Sequence, residues 1–91
     1  HMFKKEVTKA SLGHIIGSGQ VTKVHAHDVI VLDLDGTSVA INQKYLEYLL
    51  DFFTENEKIQ LRWGNALTPI LLEGKRTIVV IAPIRLPKEG V

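Results

Sequence analysis

Two aspartates at the end of an apolar run, in Val29-Ile-Val-Leu-Asp-Leu-Asp-Gly-Thr-Ser38, are the residues of this sequence best spaced for chemistry. A strand that delivered Asp33 as a nucleophile and Asp35 as an acid/base could attack a phosphate ester, with Mg²⁺ neutralising carboxylate and phosphate together. Such a site needs more than two acids. In haloacid-dehalogenase-like phosphatases, whose Asp-x-Asp-Gly-Thr signature this stretch resembles, it comes with a parallel sheet, a later Ser or Thr, a Lys and a further acidic pair on other loops, yet no Asp follows Asp51. Asp35-Gly36 is also a strong hairpin signal, because a type I′ turn requires positive φ at both central positions and these residues tolerate it. The sequence therefore favours a turn at Asp35-Gly36 with Asp33 on a solvent face, against the haloacid-dehalogenase-like phosphatase that the Asp-x-Asp-Gly-Thr signature suggests.

Three other groups could carry chemistry. His25 and His27, two apart on an expected strand, would project from one face and form half a metal site, with His14 on another expected strand as a third ligand. Exposed strand histidines beside lysines are the commoner arrangement, and no metal site is assigned. Trp63, between Arg62 and Gly64-Asn65, could stack on a nucleobase, but a strand-end Trp covering a small core is favoured. Lys4, Lys5, Lys9 and Lys23 make the first third of the chain basic and give it a nucleic-acid-binding alternative.

The bulk properties are permissive. Ninety-one residues make one domain with one modest core, and 11 Lys and Arg against 10 Asp and Glu leave a formal charge of +1. Net charge thus points to no class of partner. The sequence has no cysteine, which excludes disulfides and thiolate metal sites and accords with a reducing cytoplasm. No apolar run reaches spanning length and no membrane association is expected. His1-Met2 reads as a cloning remnant, leaving residues 3–91 as a single domain.

The elements that must position these residues follow from periodicity. Turn signals at Gly13, Gly17-Ser18-Gly19 and Asp35-Gly36 divide a stretch rich in Val, Ile and Thr. Strands are expected at His14–Ile16, Gln20–Ala26, Val29–Leu34 and Thr37–Ile41, joined as consecutive antiparallel hairpins. Asn42 is a good N-cap, and Leu46, Leu49, Leu50 and Phe53 recur at helical spacing, so an amphipathic helix is expected from about Gln43 to Thr54, its outer face carrying Lys44, Glu47, Tyr48, Asp51 and Glu55. Lys58–Trp63 and Pro69–Leu72 read as strands, and Thr77–Ala82 as a central strand. Strands, one main helix and strands again define an α+β fold with an antiparallel sheet of hairpins.

In its second half the sequence resembles the bacterial sliding clamp, the β subunit of the replicative DNA polymerase. Ile41-Asn42 with Tyr45-Leu46, the segment Leu67-Thr68-Pro69-Ile70 and the ending Pro83-Ile84-Arg85-Leu86 match, in order and spacing, the last part of that family's third domain. The resemblance runs from Asp28 to Leu86 and is loose before that. It implies a clamp-like half-domain, a βαβββ unit preceded by a hairpin. It also implies a pocket for short linear peptides of replication and repair proteins, lined by Tyr45, Leu67, Pro69, Ile70, Pro83, Ile84, Arg85 and Leu86. An apolar cleft with a few polar handles suits the Leu and Phe anchors of an extended peptide.

These readings lead to one expectation: a non-enzymatic cytoplasmic interaction module that needs no cofactor. A half-domain leaves sheet edges open, so a two-fold homo-oligomer is expected, with DNA met only through a larger assembly. The helix face, acidic at Glu47, Asp51 and Glu55, is poorly suited to phosphates.

Overall fold

In the computed structural model, residues 2–87 are described, and residue 1, half of the segment read as a cloning remnant, and residues 88–91 lie outside them. Nine elements follow in order: β1 (Phe3–Val7), α1 (Lys9–Gly17), β2 (Gln20–Val24), β3 (His27–Leu34), β4 (Thr37–Asn42), α2 (Gln43–Leu50), β5 (Ile59–Trp63), β6 (Ile70–Glu73) and β7 (Ile78–Ile81). They form a four-stranded sheet in the order β1-β5-β6-β7 and a three-stranded sheet in the order β2-β3-β4. Every strand pair is antiparallel. The protein is an α+β domain, as its patterning predicts.

Alternation along the strands decides which faces meet. In β5, Ile59, Leu61 and Trp63 point inward while Gln60 and Arg62 stay half-exposed; in β3, Leu32 and Leu34 are buried on either side of exposed Asp33. These inner faces, with Leu12 of α1 and Leu46, Leu49 and Leu50 of α2, form one apolar cluster drawn from both sheets and both helices. No side chain in the buried class is polar or charged among the described residues. Hydrophobic burial therefore proceeds without the desolvation cost of interior polar groups.

Asn42 caps α2 as expected, its Oδ1 accepting from the Tyr45 N–H at 3.0 Å. The helix ends four residues earlier than its periodicity suggests. The Phe52 and Phe53 N–H groups bond three residues back, to Leu49 and Leu50, which tightens the last turn and folds Phe53 into the core.

Three expectations are corrected. His14–Ile16 is not a strand but part of α1, which Thr8 and Ser11 start with a reciprocal capping box: the Ser11 N–H donates to Thr8 Oγ1 (3.2 Å) and the Thr8 N–H to Ser11 Oγ (2.7 Å). The N-terminal third is therefore not a run of hairpins; β1 crosses to the other sheet and pairs with β5, Phe3 opposite Trp63 and Val7 opposite Ile59. Finally, the apolar run at Thr77–Ala82 forms β7 at the edge of its sheet, not the centre. Two later hairpins are regular, and at Asp35-Gly36 the φ angles of 50° and 92° are those of the expected type I′ turn.

Candidate interaction surfaces

The residues named for peptide capture come from three segments. Tyr45 lies in the first turn of α2, Leu67 and Pro69 precede β6, and Pro83–Leu86 follows β7. Asn65 builds the β5–β6 loop: its Oδ1 accepts from the Leu67 N–H (2.8 Å) and the Thr68 hydroxyl (3.0 Å), an Asx turn that holds Leu67 outward. Ile70 stands opposite Ile81 in the β6–β7 register, so Pro69 and the segment leaving β7 share one end of the sheet. From there the Ile84 N–H donates to the Ala40 carbonyl at 2.7 Å, fastening the tail to β4 two residues before the cap of α2. Loop, tail and helix entry are thereby gathered at one corner.

At that corner Tyr45, Leu67 and Leu86 are 48%, 54% and 42% exposed, and Arg85 is exposed as well. Ile70 is not available to a ligand: it is buried in the core. The aromatic surface extends along α2 and into the turn that follows it, beyond what the sequence reading assigned. Tyr48 and Phe52 are both exposed, with ring centroids 5.5 Å apart and edge-to-face. Tyr45, Tyr48 and Phe52 recur at i, i+3 and i+7, the signal that would have shown a second apolar stripe on the face read as polar.

The four lysines of the nucleic-acid alternative lie on three elements, β1, α1 and β2. Lys5 of β1 lies 3.9 Å from Asp35, Lys9 of α1 is 3.8 Å from Asp51 and donates to the Phe53 carbonyl, and Lys23 of β2 is 2.7 Å from Asp28, its cross-strand partner. Only Lys4 among them has no ion pair within the described residues. The Lys23 ammonium, by hydrogen bond and charge, holds the Asp28 carboxyl below its ordinary value. Each of these pairs is solvent-exposed on at least one side and contributes little to stability.

The residues weighed for chemistry take up turn, helix and core positions. Asp33 Oδ1 accepts from the Gly36 N–H at 2.8 Å, tying off the β3–β4 turn. His14 is on α1, and His25 and Ala26, at φ 49° and 68°, are the turn between β2 and β3. The expected shared strand face of His25 and His27 is thus broken by the turn, and no group of three His, Cys, Asp or Glu side chains is placed to hold a metal among the described residues. Trp63 is buried and stacks on Phe3, with centroids 5.8 Å apart.

A wide, open groove of about 1040 Å³ runs over the outer side of β1, β5 and β6 to the β6–β7 turn. Two of its acids are held by local partners. Arg62 reaches Glu73 at 3.7 Å, and the Glu57 carboxylate accepts from the Thr54 N–H (3.0 Å) and the Lys75 N–H (2.8 Å). Those two backbone donors, Thr54 first, lower the Glu57 carboxyl below its usual value. A Cβ at Gly74 would run into this carboxylate and the Phe53 ring, which is why the turn passes so close.

Among the described residues no helix is long and apolar enough to cross a membrane. The chain matches no protein-family model, no curated protein and no solved structure in comparisons with each.

Proposed function

We propose that this protein is a non-enzymatic interaction module of sliding-clamp-like build that captures a short extended segment of a replication or repair protein. The observation that carries the reading is the corner where the β5–β6 loop, the tail after β7 and the start of α2 meet, with Tyr45, Leu67 and Leu86 exposed around it. Apolar anchors of a peptide would seat against Leu67, Pro69 and Leu86, with Pro83 and Ile84 as the floor. Tyr45 supplies a hydroxyl beside an aromatic face, and Arg85 a donor fork for a carboxylate or backbone carbonyl. The resemblance to the clamp family assigns the same residues and supplies the class of partner. The cytoplasm is where such a partner would be met.

Recognition of this kind is tested by the anisotropy of a fluorescent extended peptide with Leu and Phe anchors, of the sort sliding clamps bind. Saturable micromolar binding is expected, abolished by Leu86→Asp and weakened about tenfold or more by Tyr45→Ala, as removal of a central aromatic anchor does. Unchanged binding in both variants would move the site elsewhere. Binding of a DNA duplex instead, with a steep salt dependence removed by changing Lys4, Lys5, Lys9 and Lys23, would replace this function with the nucleic-acid one.

A further inference from the structure

The open groove over β1, β5 and β6 carries its free charge at one end, by the β6–β7 turn. Lys58, Lys75 and Arg76 surround that end; all three are exposed, and none makes an ion pair among the described residues. The acids of the lining leave them free. Arg62 meets Glu73, two backbone N–H groups hold Glu57, and Glu6 stands beside Gln60 on β1, with β5 between it and the strand that leads into the turn. Glu57 also assembles the cluster. By accepting from the Lys75 N–H it draws the turn against the segment that carries Lys58, and cations distant in sequence come to one place.

Phe52 joins this end of the groove to the corner of Tyr45, Leu67 and Leu86. Its exposed ring lines the groove and meets Tyr48 edge-to-face, and Tyr48 stands one helical turn from Tyr45. Seven residues of helical rise make this aromatic path about 10 Å long. An extended chain covers that in about three or four residues.

We propose that the groove end receives an acidic flank of the same extended partner whose apolar anchors seat at the corner, the chain between them passing over Tyr48 and Phe52. The assignment rests on the peptide-capture reading of the corner and names the kind of peptide it takes. Carboxylates of the flank meet the Lys58 and Lys75 ammonium groups and accept from the Arg76 guanidinium fork. Asn56 and Gln60, also on the lining, offer amide donors and acceptors to the peptide backbone. An acidic peptide suits the groove better than a nucleic acid does. Peptide carboxylates can stop at the basic end, whereas a phosphate backbone is charged at every step and would run on against Glu6 and Glu73.

Anisotropy of labelled peptides on the full chain tests this. The Leu- and Phe-anchored segment is compared with the same segment carrying, before or after it, a run of about six glutamates, about 20 Å when extended. One of the two flanked peptides should bind about tenfold more tightly than the anchors alone, the gain of a few exposed ion pairs on a tethered segment. That gain should fade as salt screens it. A run of glutamines in the same place should give none, a readout that needs no variant. In Lys58→Gln/Lys75→Gln/Arg76→Gln the gain should vanish while the anchors alone bind as before, which also shows that the variant is folded. Anchors that bind without a gain from either flank, or a gain that glutamines reproduce or the variant keeps, would overturn the acidic flank and leave the corner standing. Anchors that do not bind at all would remove the peptide reading and the flank with it. Salt-sensitive binding of an oligonucleotide, lost in the same variant and without any gain from glutamates, would give these cations to nucleic acid instead.

Discussion

Glu57 shows how one exposed carboxylate can fasten two distant turns. It accepts from the Thr54 N–H after α2 and from the Lys75 N–H in the β6–β7 turn, eighteen residues away in sequence. Because these donors favour the charged form, its folded-state pKa lies below its unfolded value. The stability it contributes is then complete above the ordinary carboxylate range and is lost as pH falls through that range to the lowered folded value. Melting temperature measured against pH should accordingly fall on acidification in the native protein and fall less in Glu57→Gln, where Asp28, lowered by Lys23, still titrates in the same direction. Equal acid sensitivity of the two proteins would remove Glu57 from this role. At the same scale Asp33 illustrates how a residue type can mislead: a carboxylate spaced for phosphate chemistry instead accepts a turn N–H.

Elements differ in how openly the sequence displays them. The β3–β4 hairpin and the start of α2 are legible because local chemistry and burial agree: Asp35-Gly36 suits positive φ, Asn42 suits a cap, and Leu46, Leu49 and Leu50 fill one side. α1 is not, since Lys9–Gly17 contains two glycines and the β-branched pair Ile15-Ile16, all poor helix formers, and its box closes on Ser11 where Glu or Gln is the familiar partner. What holds it is tertiary. Leu12 is buried in the core, with Ile15 and Ile16 packed half-buried against it. Leu12→Ala should therefore cost about 2–5 kcal/mol in a denaturant titration; a loss under about 0.5 kcal/mol, the scale of a surface change, would mean that α1 is held by its cap alone. The His25-Ala26 turn was equally hidden, because neither residue advertises the positive φ it adopts. Nor does a continuous apolar run reveal whether a strand will lie at the centre of a sheet or, like β7, at its edge; that depends on which strands arrive from elsewhere in the chain.

At the scale of the whole molecule, two sheets and two helices enclose a single apolar core, and the surface outside it is divided by chemistry. Four acid–base pairs lie on it, Lys5–Asp35, Lys9–Asp51, Lys23–Asp28 and, over the groove, Arg62–Glu73. Exposed apolar side chains stand at the corner of Tyr45, Leu67 and Leu86, at Tyr48 and Phe52 along and just past α2, and on the β7 edge, with Met2, Phe3 and Val21 exposed elsewhere. The residues of the candidate corner were named through the clamp resemblance; among them the burial of Ile70 was not legible, since it depends on the strand that pairs with it, and the exposed aromatics Tyr48 and Phe52 were disguised by the neighbouring acids. Peptide capture at that corner is the central claim, and amide chemical-shift mapping of the ¹⁵N-labelled protein with the unlabelled Leu- and Phe-anchored peptide tests it most directly. The account predicts saturable shifts at Tyr45, Leu67 and Ile84–Leu86, with the amides of Lys4, Lys5 and Lys23 undisturbed. Shifts confined to β1, α1 and β2, or none at saturating peptide, would contradict it.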